Sequence, residues 1–260
     1  MNETIDTPGT PALEATGITK TFFTTDPPAQ VLNGIDLAVG VGEFVAIMGA
    51  SGSGKSTLLY AISGMDRPTE GTVLIDGVEL TSLSDVEMAK VRLHTMGFIF
   101  QQAHLLANLN IGDNVLLPAL KADPDNAEAA HKRVRGLLER FAIDHVAHHA
   151  TTEVSGGQLQ RAAICRAMAA EPSIIFADEP TGALNSAMSA EVMDSLTELN
   201  RDGTSLVMVT HSGACASRAD RVIYLRDGLV VDEIALGKWT PEAAQDRELT
   251  ISSWLAGQGF

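Results

Sequence analysis

A five-residue apolar run, Phe44-Val-Ala-Ile-Met48, leads directly into Gly49-Ala50-Ser51-Gly52-Ser53-Gly54-Lys55-Ser56-Thr57. The run is the length of a buried strand, and the helical stretch Ser56–Ser63 follows the loop, so the segment predicts strand, glycine loop and helix in that order. That order commits the chain to an α/β fold in which the loop lies at the carboxyl end of a central strand. Glycines let successive backbone N–H groups turn inward around an anion, and the helix amino terminus adds its positive end. The spacing G-x-x-x-x-G-K-[ST] is that of a phosphate loop, in which Lys55 reaches the β- and γ-phosphates and Ser56 coordinates Mg²⁺. A glycine–serine loop can also be a plain turn. Gly52-Ser53-Gly54 lacks the third glycine of a dinucleotide fingerprint.

Further apolar runs, Ile174–Ala177 and Leu206–Val209, read as buried parallel strands. Asp178 closes the first, which puts its carboxylate at a strand end where it can hold the Mg²⁺ shell. Glu179 comes next. Successive residues at a strand end point different ways, so one carboxylate is available to the metal and the other to an attacking water. Taken alone, paired carboxylates at a strand end are commonplace caps.

From Leu13 to Ile47 the pattern is short and strand-like, with Ile35, Leu37 and Val39 alternating against Asp36 and Ala38 and a turn at Asp26-Pro27-Pro28. With residues 72–76 this suggests an antiparallel subsheet beside the main sheet. Ser84-Asp85-Val86-Glu87 has the capping-box spacing and predicts a helix ahead of a strand at Gly97–Gln101. Between about 102 and 170 the character is helical, and in 126–141 Ala130, Val134, Leu137, Leu138 and Phe141 share one face. Residues 1–12 are polar and aperiodic and are expected to be a disordered leader, and 241–260 a helical extension with Trp254 and Leu255 covering a core edge.

The formal net charge of −15 argues against a nucleic-acid surface and against direct docking on anionic lipid, so contact with a membrane is expected to run through protein. No apolar run reaches about 18 residues and no basic-then-apolar signal segment opens the sequence, so a cytoplasmic location is expected. Cys165 and Cys215 lack C-x-x-C spacing and read as small packing residues. His145, His148 and His149 have no accompanying Cys and read as a solvated helix end.

Val154-Ser155-Gly156-Gly157-Gln158-Leu159-Gln160-Arg161, lying between the phosphate loop and the acidic strand, resembles the signature sequence of ABC transporter ATPases. As residues alone, Ser155-Gly156-Gly157 is a helix start presenting a hydroxyl and backbone amides. The resemblance covers about residues 13–235. It implies a single ATPase domain over 13–240, with an antiparallel β subdomain and an inserted α-helical subdomain (102–170) carrying the signature. It further implies that ATP is bound with Mg²⁺ and that two copies sandwich two nucleotides head to tail, each signature completing the opposite site. Residue by residue, Gln101 matches the glutamine that contacts Mg²⁺ or water and senses the transporter. His211 matches the histidine that contacts the γ-phosphate. Phe22, beside Phe23, falls where the family stacks an aromatic ring on adenine. Asn185 stands where most members carry Asp. Gly97-Phe-Ile-Phe-Gln-Gln-Ala-His-Leu-Leu and Glu179-Pro-Thr-Gly-Ala-Leu-Asn185 look like the macrolide-export, lipoprotein-release and bacitracin-resistance branch, implying an integral membrane permease with a large extracytoplasmic domain. An ATP-gated regulatory module of a non-transporting membrane complex would carry the same motifs. The permease groove is expected near Gln101 and 102–120, where Leu105, Leu106 and Leu109 are more apolar than a solvent-facing loop requires.

Overall fold

Alternation along one strand organises the molecule. In the computed structural model, which describes residues 10–24 and 26–259, β3 (Phe44–Met48) is buried along its whole length. Phe44, Ala46 and Met48 face one apolar core, and Val45 and Ile47 the other. A strand covered on both faces needs no polar residue, which is why the sequence there is continuously apolar.

β3 lies inside a six-stranded sheet of order β10-β9-β3-β8-β7-β6, formed with β6 (Met96–Phe100), β7 (Ile174–Asp178), β8 (Ser205–Val209), β9 (Arg221–Arg226) and β10 (Leu229–Ala235). All neighbours are parallel except the edge hairpin of β9 and β10. A four-stranded antiparallel sheet, β2-β1-β4-β5, is built from β1 (Leu13–Phe22), β2 (Ala29–Val39), β4 (Glu70–Ile75) and β5 (Val78–Glu79). In β2 the alternation holds: Ile35, Leu37 and Val39 are buried, and Asp36 and Ala38 are exposed. These strands and α1 (Lys55–Ile62) enclose the second core, where Leu13, Ile18, Leu58 and Ile62 meet Val45, Ile47 and Val207.

Helices close the other face. α2 (Asp85–Thr95) starts at Ser84 with the full capping box. α3 (Ile111–Ala122), α4 (Ala127–Arg140) and α5 (Gly156–Met168) fill the region between β6 and β7. α4 buries Ala130, Val134 and Leu138 on one face, as its period dictates. α6 (Ser186–Arg201) joins β7 to β8, α7 (Gly213–Ala216) is a single turn after β8, and α8 (Ala244–Gly257) ends the described chain. No helix among the described residues is long and apolar enough to cross a membrane. The leader expected over 1–12 lies outside the described residues up to residue 9, while Ala12 is already buried and its carbonyl accepts the N–H of Asp76. Of the three leucines noted near Gln101, Leu106 is 47% exposed, whereas Leu105 packs on the core and Leu109 is half-buried.

Candidate functional site

The phosphate-loop sequence leaves β3 through Gly49, whose φ is 152°. A Cβ there would stand 2.1 Å from the carbonyl oxygen of Leu225, so only glycine lets the loop pass β9 so closely. Gly54 caps α1 from the left-handed region, and Lys55 begins the helix. Ala50, Ser51 and Gly52 form the exposed tip, and Thr57 is half-buried on the first turn of α1. Lys55 Nζ donates to the carbonyls of Gly49 and Ala50, both at 2.9 Å, and so lies against its own loop. Desolvation lowers its pKa, opposed by the charges of Glu179 and Asp178. The buried hydroxyl of Ser53 has no hydrogen-bond partner. A buried cation, an orphaned hydroxyl and helix-start amides in one loop fit a phosphate group.

Asp178, at the end of β7, lies across from the start of α1. Ser56 Oγ donates to its Oδ1 at 2.9 Å, and Tyr60 Oη to its Oδ2 at 2.7 Å. Both carboxylate oxygens are therefore oriented from one helix. Burial and the Asp178 contact push the Tyr60 phenol up to about 12. The Ser56–Asp178 pair is an all-oxygen donor set, the kind a hard cation such as Mg²⁺ takes, with most of its shell left to phosphate and water. Tyr60 was not singled out from sequence, although it sits four residues after Ser56 and hence on the same helix face.

Glu179 turns away from its neighbour. It adopts φ 50°, a left-handed conformation that costs a non-glycine residue about 1 kcal/mol. Its N–H is tied to the carbonyl of Val209, and its Oε2 lies 2.5 Å from Nδ1 of His211, just beyond β8. The His211 ring is largely exposed, while the Glu179 side chain is mostly covered. Gln101 follows β6 on the surface and abuts Gly182, where a Cβ would stand 2.8 Å from its Nε2. Gln160, a signature residue to which sequence gives no role of its own, donates to the carbonyl of Phe100 at 2.9 Å and so fixes the base of the Gln101 loop to α5.

The signature residues form a second cluster. Ser155 caps α5, accepting from Gln158 N, while Gln158 Oε1 accepts from Ser155 N at 2.8 Å. Gly156 faces Leu184 and Gly157 faces Met188, and between these two Asn185 caps α6 by accepting from Met188 N at 3.0 Å. Asn serves a cap as well as Asp does, so the change from the usual residue keeps the helix start intact. The structure thus groups Lys55, Ser56, Asp178, Glu179 and His211 in one place and Ser155, Gly156, Gly157, Gln158 and Asn185 in another. Phe22 ends β1 half-buried with Lys20 Nζ 5.3 Å from its ring, and Phe23 beside it is 72% exposed. His145, His148 and His149 are exposed, and no group of three or more His, Cys, Asp or Glu able to hold a metal occurs among the described residues.

The family model for ABC transporters matches residues 32–182. The chain is 43% identical over 226 residues to the bacitracin export ATP-binding protein of Halalkalibacterium halodurans, covering 86% of this chain and 89% of that one. It is 44% identical over 223 residues to the macrolide export ATP-binding/permease protein of Chlorobaculum tepidum, covering 85% of this chain and 34% of that protein. It therefore spans about a third of the length of the macrolide-export relatives it matches. Among solved structures, a dimeric ATP-binding cassette in a post-hydrolysis state bound to ADP and Pi superposes with a TM-score of 0.81 at 40% identity, covering 87% of this chain and 100% of that one. With the phosphate loop, acidic strand and signature placed on this fold, the chain belongs to the ABC transporter family.

Proposed function

We propose that the chain binds and hydrolyses ATP as the nucleotide-binding subunit of an export-type transporter, working at the cytoplasmic face of a membrane through a separate permease. The observation that carries this is the pairing of Ser56 with Asp178 beside the pairing of Glu179 with His211. The first pair is a place for a cation at the phosphate loop, the second a base held by a partner.

When bound, Mg²⁺ would supply positive charge to offset the negative charge that develops as the terminal phosphoryl group leaves. Ser56 and Asp178 would hold it, and Tyr60 would keep the Asp178 carboxylate turned toward it. The loop amides and Lys55 bind the phosphate chain. Glu179 accepts a proton from the attacking water, and His211 orients the carboxylate and contacts the γ-phosphate from the next strand. The signature amides of Gly156 and Gly157 belong to a different cluster, which favours their use by a second copy of the chain packed head to tail.

Partner docking is assigned to a groove of about 570 Å³ that includes Met65, Phe98, Phe100, Leu106 and Leu117. Arg92, His104, Lys121 and Arg166 also line it, and no acid among the described residues does, although the whole chain carries −15. An apolar floor with a basic rim suits an amphipathic permease helix bearing a carboxylate. That the macrolide-export relatives are named as ATP-binding/permease proteins supports a permease as the occupant.

Purified chain supplied with ATP and Mg²⁺ should release phosphate, and Lys55→Ala should abolish the release. Equal rates in the two proteins would overturn the assignment.

A further inference from the structure

The terminal helix α8 packs on the segment that carries His211, and it is fastened there by one buried cation. α7 has four residues, too few to be stable alone, so its position depends on what packs against it. On one side Thr181 Oγ1, in the loop after Glu179, contacts Cys215 Sγ at 3.3 Å. On the other, Ile251 and Leu255 of α8 cover Gly213, where a Cβ would meet them at 3.5 and 3.7 Å.

Below this contact sits Arg247, only 6% exposed. Its guanidinium donates to five carbonyls: Ser217 and Ala219 in the loop just after α7, and Leu236, Gly237 and Lys238 in the connection after β10. Carbonyls in irregular backbone have no ladder to supply a donor, and left buried without one they would cost free energy. Arg247 therefore pins the chain as it leaves α7 and ties it to α8 with the same group. The link runs on to the site, because Ser212 caps the start of α7 and its own N–H is held by Thr210 Oγ1 at 3.0 Å, leaving His211 between two fixed residues. Glu248 lines the same cavity of about 380 Å³ as His211, Ser212 and Thr181.

We propose that α8 is a strut for the His211 segment and that Arg247 is a positioning residue for catalysis, acting through α7 to keep His211 against Glu179. The proposal rests on the hydrolytic reading of that pair. Loosening the strut lets His211 drift without disturbing the phosphate loop, so it lowers kcat and leaves KM for ATP unchanged.

The test is Arg247→Met, which keeps the stem and removes the donors, measured beside Val134→Ala, a core truncation in α4 away from α7. The native chain is assayed first: absence of ATP turnover there counts against hydrolysis itself, not against the strut. Given native turnover, Arg247→Met should lower kcat between about fivefold and a hundredfold, as small misplacements of a catalytic group do, with KM unchanged. Amide hydrogen exchange should quicken across 213–219, and Arg247→Lys should restore part of the rate. Should Arg247→Met not fold, Ile251→Ala is read in the same way. Native kcat in the variant that folds, or an equal fall in Val134→Ala at matched Tm, overturns the proposal.

Discussion

Oε2 of Glu179 and Nδ1 of His211 lie 2.5 Å apart, joining the ends of β7 and β8, which are neighbours in the sheet but separated along the chain by all of α6. The contact is built by backbone as much as by side chain. The left-handed turn at Glu179 and the bond from its N–H to Val209 aim the carboxylate across to β8, while Asp178, one residue earlier, is aimed at α1.

Glu179→Gln tests the division of labour between these two acids. The amide keeps the shape and can still meet His211, but it cannot take a proton from water. Turnover should fall by about 10²- to 10⁴-fold, the usual contribution of a general base, with ATP binding retained. Phosphate release and nucleotide binding measured on the same preparation check this, and size-exclusion chromatography with Mg-ATP should show a persistent dimer. A native rate in the variant would remove Glu179 from the role.

Tyr60→Phe tests the orientation of Asp178. Without the phenol, Oδ2 loses its donor and the carboxylate is free to rotate away from Ser56. The Mg²⁺ concentration giving half-maximal nucleotide binding should rise several-fold, and stability should fall by about 1.5 kcal/mol for one bond to a charged acceptor. The alkaline limb supplies a second readout. Because the folded phenol titrates near 12 against an ordinary value of 10.0, its contribution is complete below pH 10.0 and is lost as the pH rises toward 12. Tm of the native chain should therefore fall more steeply over that window than Tm of Tyr60→Phe; parallel curves would count against the contact.

Gly156→Asp tests whether the signature acts on the opposite subunit. Gly156 is exposed at the start of α5, where an acid suits the helix end, so the substitution should fold while placing a negative charge where a phosphate would bind. Neither Gly156→Asp nor Lys55→Ala alone should hydrolyse ATP. Mixed in equal amounts, they should recover up to about a quarter of the native rate, since half the dimers pair the two chains and each such dimer has one intact site. No recovery, with exchange of subunits shown independently, would place signature and loop in one chain.

How much of this was legible beforehand follows from the range of each interaction. The phosphate loop, Asp178 and the strands are local patterns, and so are the capping box at Ser84 and the helix start at Ser155, because each is fixed by residues a few positions apart. Tyr60 was hidden because its partner is 118 residues away, and a tyrosine on a helix announces nothing by itself. The role of Gln160 escaped for the same reason, its acceptor being a backbone carbonyl 60 residues away. Arg247 was invisible in principle: all five of its partners are carbonyls, which leave no trace in sequence. Leu105, Leu106 and Leu109 show the opposite limit, since apolar identity marked all three and only the three-dimensional packing separates the one that lines the groove from the one that fills the core.

Leu106→Glu tests what that groove is for. The side chain is 47% exposed, so the subunit should lose no more than about 0.5 kcal/mol, and ATP binding, which takes place at the phosphate loop, should be untouched. In the groove, however, the new carboxylate would sit on the apolar floor that Arg92 and Lys121 also line and compete for the cations open to a partner's acid. A permease helix would then meet a polar floor and a neutralised rim. The variant should fail to co-purify with its integral membrane partner and lose partner-stimulated hydrolysis while keeping its basal rate, and Leu106→Met, which preserves the apolar floor, should retain both. An intact complex with full stimulation in Leu106→Glu would move the docking surface elsewhere on the subunit.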